Sequence, residues 1–500
     1  MNPLFKIDLK KSFIVFTCLI VIALFLVFAY SVYPVPGGDS IFYLAPAVQF
    51  AARGTLISPF YSEWLMDKIV DPSGMKRFLY YPPLFPLAVS ALMPQATPQG
   101  ALIAIALINI AVIALSILLF YKVATRKESL DWKKVFLIVI ALLALASSLT
   151  ETGRPETLAR LWVALGALVY FYAHKKYDWV FYGILLGLMF ATHPAGGIFS
   201  IFILGMVFGA TLKLKDVFLK GSATFFLGFL VFLGVIILGP FGISETIGGI
   251  FRHIITLNHI IAQLPQKFFT PSNMFKYFIA FPTAPFYAFV MLLVPVAGIF
   301  FYRKYRKCLV STWLVLVCAA MLVYLFGKAI SLGHAFYTTL FAPLIFSIFI
   351  YLFLESGRFW KSVTITVLLL VATGFLRTTL LFPFFLKQGV TLEEARAHFA
   401  RLTRPYEGKN VLFGVTGGLW TLTENYEKVY SYNTWPDKPK ERTALVFFQQ
   451  RYSGMLTPPP VDGCALTYDS FSKSVPKIFG VKLGNTMPGY GYAVYDCFNL

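Results

Sequence analysis

Charge is scarce in this chain of 500 residues, and negative charge scarcest of all. Asp, Glu, Lys and Arg make up 13% of the residues, where a soluble domain carries about a quarter. A water-soluble protein of this size has no interior large enough for 58% hydrophobic residues, so a string of soluble domains is excluded. Most of the chain must use lipid as its solvent. No internal repeat and no low-complexity tract is present, and no metal site can be read from residue spacing. The five cysteines say little. Cys18, Cys308 and Cys318 fall in or beside apolar runs, whereas Cys464 and Cys497 share a polar C-terminal region that an oxidising compartment would allow to cross-link.

The apolar residues come in runs. The first, 12–33, is too long for a signal-peptide core and has no small-residue cleavage site, so it reads as a retained anchor. Ten more lie near 100–121, 135–149, 157–173, 179–193, 195–212, 217–239, 279–302, 308–326, 335–354 and 362–384. Eleven spans, an odd number, put the two termini on opposite sides. Lys6, Lys10 and Lys11 before the first run place the N-terminus in the cytoplasm. The six short segments that then face inward hold 19 lysines and arginines between them, and each is basic. The net charge of +20 is therefore a topology signal and no sign of nucleic acid. The expected fold class is an α-helical polytopic protein of about eleven transmembrane helices, in the plasma or inner membrane.

Two outer loops are long, 34–99 and 240–277. With them, residues 1–390 form the expected membrane core. Residues 391–500 have a soluble composition and form the expected extracytoplasmic α/β domain. Its strands are expected at 410–415, 429–432 and 443–448, with helices after Thr391 and after Gly418.

Ionisable residues at the outer membrane face carry the functional argument, because charge there is costly. Asp39 follows a Pro- and Gly-rich bend; it reads as the cap of the next helix or as a working carboxylate, and the roles can coexist. Glu151 and Glu156 flank Arg154 in a turn too short for a domain. That grouping suits helix-end electrostatics, and equally suits a phosphate or a sugar. Lys76 and Arg77 are basic on the outer side, against the orientation rule, and would meet an anionic head group. His193 and His334 are single histidines, for which a structural role is the commoner one.

Taken in order, the stretches Asp39-Ser40-Ile41-Phe42-Tyr43, Tyr81-Pro82-Pro83-Leu84-Phe85-Pro86, Gly153-Arg154-Pro155-Glu156-Thr157-Leu158, Gly187 to Pro194 and Tyr337 to Pro343 resemble the GT-C superfamily of membrane glycosyltransferases. Within it, they look close to the family 39 protein mannosyltransferases and the lipid A aminoarabinose transferases. The resemblance implies an enzyme that takes a sugar from a polyprenyl-phosphate donor and transfers it, with inversion, to a lipid, glycan or protein acceptor outside the membrane. Asp39 would be the general base. Arg154, Lys76, Arg77, Lys328 and His334 would face the lipid phosphate. Glu151 or Glu156 would position Arg154 or hold the sugar, with Tyr81, His193 and Tyr337 lining the substrate site. The chain departs from the family at Ser40 after the acid, Tyr81 before the Pro-Pro pair and Phe336 before the late tyrosine, which leaves dependence on a divalent metal open. A transporter or lipid flippase is the main alternative. It would carry ionisable groups near the midplane, often within repeats, whereas these spans are nearly free of Asp, Glu and Lys. A non-catalytic scaffold is the third.

Overall fold

The computed structural model describes residues 8–31, 41–58, 60–61, 76–77, 81–149, 153–172, 177–251, 314–322, 339–355, 357–375 and, toward the C-terminus, 397, 400–401, 404, 411–413, 429–431, 445–449, 456–461, 463–475, 477–478, 481–482 and 491–496. Helices dominate. They are α1 (Leu9–Ser31), α2 (Ile41–Arg53), α3 (Leu84–Leu92), α4 (Pro98–Ala124), α5 (Trp132–Ser148), α6 (Pro155–Tyr172), α7 (Asp178–Thr192), α8 (Pro194–Thr211), α9 (Leu214–Ile237), α10 (Ala342–Glu355) and α11 (Arg358–Phe375).

Their ends follow from local chemistry. Thr97 caps α4 by accepting from the Gly100 amide at 3.1 Å, with Pro98 in the first turn. Asp131 does the same for α5 through the Lys134 amide at 2.8 Å. Residues 179–212 break at His193 into two helices instead of running on as one, because Pro194 cannot donate to the preceding turn. Where the structure describes an expected run, that part is helical, with ends displaced by a few residues; the run at 279–302, both ends of 308–326, the start of 335–354, the end of 362–384, most of the helix expected after Thr391 and the helix expected after Gly418 lie outside the described residues.

Among the described residues, two helices are long and apolar enough to cross a membrane, Pro98–Ala124 and Lys215–Ile237. They differ in what surrounds them. In the first, 56% of the apolar stretch is buried, as in the middle of a bundle; in the second only 17% is. The exposed side of α9 presents Phe218, Leu219, Phe225, Phe226, Phe229 and Leu230, a surface that hydrocarbon solvates and water does not. α9 packs on α7 through small residues. Gly183 and Gly187, four apart on α7, lie so close that a Cβ built on Gly187 would meet the Gly228 carbonyl oxygen at 2.4 Å and the Val231 Cβ at 2.6 Å. This is backbone-to-backbone approach through glycine, which serves where lipid removes any hydrophobic gain from association.

The polar groups separate to two ends of the bundle. At one end Lys127 pairs with Glu355 at 2.7 Å, Lys134 with Glu128 at 3.0 Å and Lys220 with Asp178 at 3.1 Å, while Lys10 donates to the Leu130 carbonyl at 3.0 Å. Lys10 and Lys127 tie the start of α1 and the α10–α11 turn to the α4–α5 turn, and Lys220 ties α9 to the start of α7. At the other end lie the starts of α6 and α8 and the short helices α2 and α3.

A six-stranded sheet belongs to this second end. Its strands are β2 (Phe60–Tyr61), β4 (Val411–Phe413), β5 (Val429–Ser431), β6 (Leu445–Gln449), β7 (Ala465–Asp469) and β10 (Tyr492–Asp496), in the order β2-β5-β4-β6-β10-β7. The β2-β5, β5-β4 and β4-β6 pairings are parallel, and β10 runs antiparallel to both of its neighbours. β1 (Ile57–Ser58) pairs with β3 (Lys76–Arg77), and β8 (Lys477–Ile478) with β9 (Val481–Lys482). Two features go beyond the sequence reading. The sheet takes β2 from the first loop, and β10 docks it on the helices: Tyr492 and Val494 share one apolar cluster with Tyr43 of α2, Phe85 of α3 and Leu158 of α6. Cys464 is disulfide-bonded; Cys497 lies outside the described residues.

Candidate active site

Among the described residues, the first turn of α6 carries the strongest concentration of buried charge. Gly153 adopts φ 92°, a left-handed conformation that favours glycine, and so turns the chain into the helix. Pro155 follows at the first helical position, where its missing N–H costs nothing. Glu156 then sits in the first turn, where the helix dipole favours an anion.

Glu156 is only 3% exposed, yet it has the partners a buried charge requires. The Arg154 guanidinium grips it with a fork, Nη2 to Oε1 at 3.2 Å and Nε to Oε2 at 3.3 Å. His193 brings Nε2 to 3.5 Å from Oε1. The tautomer of His193 follows from its other nitrogen: Nδ1 accepts the Gly196 amide at 2.9 Å, so a neutral ring carries its proton on Nε2, toward the carboxylate. One histidine thus caps α8 and faces Glu156. Burial works against the charge on Glu156, which belongs to the turn ahead of the apolar run. Arg154 and His193 outweigh it and hold the carboxyl well below the usual carboxylate range. A carboxylate so held is a weak base. It anchors a cation.

Aromatic rings wall the cluster on one side. Tyr81 stands edge-on to His193 with centroids 6.0 Å apart, Tyr43 to Tyr81 at 5.4 Å, and Phe85 to Tyr43 at 6.1 Å. Tyr81, the Arg154–Glu156 pair and His193, far apart in sequence, therefore come together. The backbone of Lys76 and Arg77 lies in β3, opposite Ser58 and Ile57. Asp39, Glu151, Lys328, His334 and Tyr337 lie outside the described residues, although α2 begins at Ile41, two positions after Asp39.

Sequence reasoning missed Arg160. It is 1% exposed, one helical turn beyond Glu156, and donates from Nε to the Thr339 carbonyl at 3.2 Å and from Nη2 to the Thr339 hydroxyl at 2.5 Å. The signal was present: Arg160 is the one charge in the run 157–173, where charge is costly. Trp162 was missed as well. Its indole N–H donates to Thr192 Oγ1 at 2.9 Å and ties α6 to the end of α7, next to His193. Among the described residues no three His, Cys, Asp or Glu side chains gather as a metal would need.

Solved structures similar to this chain include two crystal structures of ArnT from Cupriavidus metallidurans, one bound to undecaprenyl phosphate and one in the apo state. The first covers 97% of this chain and 98% of its own at a TM-score of 0.38 and 12% identity. The second covers 98% of both chains at a TM-score of 0.36 and 11% identity. No family model matches the chain, and no curated protein matches it.

Proposed function

We propose that this chain is an integral-membrane glycosyltransferase that moves a sugar from a polyprenyl-phosphate donor to an acceptor on the extracytoplasmic side. The observation that carries the reading is the buried Arg154–Glu156 fork at the start of α6, next to His193 and Tyr81, at the end of the bundle away from the basic turns. An arginine held rigid by a buried carboxylate is preorganised to meet a phosphate oxygen, which is the charge such a transfer releases. The ordered set of motifs quoted from the sequence supplies the reaction class. The positive-inside rule supplies the sidedness, with the turns around Lys127 and Lys134 in the cytoplasm and the N-terminus with them.

In this scheme the acceptor oxygen or nitrogen attacks the anomeric carbon from the face opposite the phosphate. The carbon–oxygen bond to the lipid phosphate breaks, its electron pair leaves with the phosphate, and the configuration inverts. Asp39 takes the acceptor's proton. Arg154 offsets the developing phosphate charge, with Lys76, Arg77, Lys328 and His334 as further cations of the donor site. Glu156 and His193 orient Arg154. Glu151, Tyr81 and Tyr337 complete the sugar and acceptor contacts.

The deciding experiment is Asp39→Asn. Asn caps a helix about as well as Asp, so a purely structural Asp39 gives a nearly silent variant. A base that cannot accept a proton loses on the order of 10²–10⁴-fold in turnover. The expected protein is expressed, binds a labelled polyprenyl-phosphate sugar, and scarcely transfers it to host membranes. Near-normal transfer would remove Asp39 as the base.

A further inference from the structure

At the end of the bundle opposite Glu156, the start of α1 and the α4–α5 turn enclose a cleft of about 490 Å³. Lys10, Lys11, Arg126 and Lys127 line it, together with the carboxylates of Asp8 and Glu128. Both acids are already engaged, Asp8 by Lys11 at 3.5 Å and Glu128 by the buried Lys134 at 3.0 Å. Lys127 is taken by Glu355 at 2.7 Å. Counting Lys134 and Glu355, five cations face three carboxylates, which leaves two positive charges on the cleft. Arg126 is exposed, and among the described residues it has no ion-pair partner. One turn further along α1 the polar wall gives way to an apolar one. The Phe13 and Trp132 rings, 47% and 55% exposed, meet edge-to-face at 6.3 Å, with Phe16 and Leu9 also exposed beside them on α1.

We infer that this cleft is a binding site for one anionic glycerophospholipid, its phosphate held by Lys11 and Arg126 and its acyl chains lying along Phe13 and Trp132. The charge excess selects an anion. The adjoining exposed rings select an amphiphile, since a free phosphate has no use for them. Lys10, fixed to the Leu130 carbonyl, and the buried Lys134 hold the α4–α5 turn in shape before any lipid arrives. The inference asks only that the chain lie in a bilayer, and is independent of any transfer reaction.

The test uses the full-length protein purified in a neutral detergent, with bound lipid counted by native mass spectrometry. The probes are phosphatidylglycerol, phosphatidylcholine and soluble glycerol 3-phosphate. Phosphatidylglycerol is expected to be retained at one copy per chain, and the other two are not. Arg126→Glu and Lys11→Glu, both at exposed positions, should each weaken that retention about tenfold. Lys133→Glu makes the same charge change on an exposed neighbour outside the cleft and should alter it less than about twofold. Arg126→Gln, which removes the charge without reversing it, covers the case in which a reversal does not fold. Equal retention of phosphatidylcholine, equal binding of glycerol 3-phosphate, or an equal loss in Lys133→Glu would each overturn the site.

Discussion

At the residue scale, the fork between Arg154 and Glu156 makes two forecasts that separate charge from shape. The folded carboxyl titrates below its ordinary value of 4.5, so its contribution to stability is fully present above that value and is lost as the pH falls through the folded one. Glu156→Gln should therefore lower the thermal midpoint of the detergent-solubilised protein at pH 7, by the equivalent of about 3 kcal/mol for a broken buried pair. The gap between variant and wild type should close as the pH drops below 4.5. A gap that does not change with pH would mean that Glu156 is not ionised in the fold. Arg154→Lys tests the other half. An ammonium keeps the charge but loses the two-pronged grip, so donor affinity should fall by about tenfold or more while expression survives. Unchanged donor binding in equilibrium titrations of Arg154→Ala would move the phosphate site toward Lys76, Arg77 and Lys328.

At the element scale, the contact between α7 and α9 sets where His193 stands. Gly187→Ala has no room for its methyl against the Gly228 carbonyl and Val231, and overpacking of this kind costs about 1–3 kcal/mol. Gly221→Ala on α9 meets nothing within 4 Å and should be neutral or slightly stabilising. Thermal unfolding of the two variants checks the pair; helix propensity favours alanine at both positions, so equal midpoints would mean that close packing of Gly187 on Gly228 and Val231 is not what the methyl disturbs. Most of the helices were legible in the sequence, because an apolar run bounded by Lys, Pro or a capping residue has few other solutions in lipid. The break at His193 was legible from Pro194, and the strands at 411–413, 429–431 and 445–449 from their short β-branched and aromatic runs. Pairing was not. Nothing at Phe60 or Tyr61 announces a strand whose partner lies at Val429, and nothing at Tyr492 announces contact with α2 and α6, since such contacts depend on where distant segments come to rest. The same holds for the site. Glu156 and Arg154 are adjacent and could be read together, whereas the approach of His193 and Tyr81 required the bundle.

At the scale of the whole molecule, the separation of polar groups to two ends predicts an accessibility map. Single cysteines placed at Asp39, Thr152 and Lys473, the last an exposed position near Ser470, should react with an impermeant maleimide added from outside, and cysteines at Lys127 and Lys304 should react only after permeabilisation. External labelling at Lys304 would reverse the orientation and move the proposed chemistry to the wrong face. Lys127 and Glu355 add a check within the structure, because they hold the α4–α5 and α10–α11 turns to the same side at 2.7 Å.

The place of β2 in the sheet also has a consequence in time. Phe60 and Tyr61 leave the ribosome long before the strand they pair with, Val429–Ser431. At about 5–20 residues per second, that interval is on the order of tens of seconds. Throughout it, the edge that β2 offers to β5 stays open, and the aromatic surface that β10 will cover stays uncovered. The end of the chain is thus what closes its beginning. A protein cut short before residue 429 would insert its early helices and still display an unfinished edge, a feature by which quality control can tell an incomplete copy from a complete one.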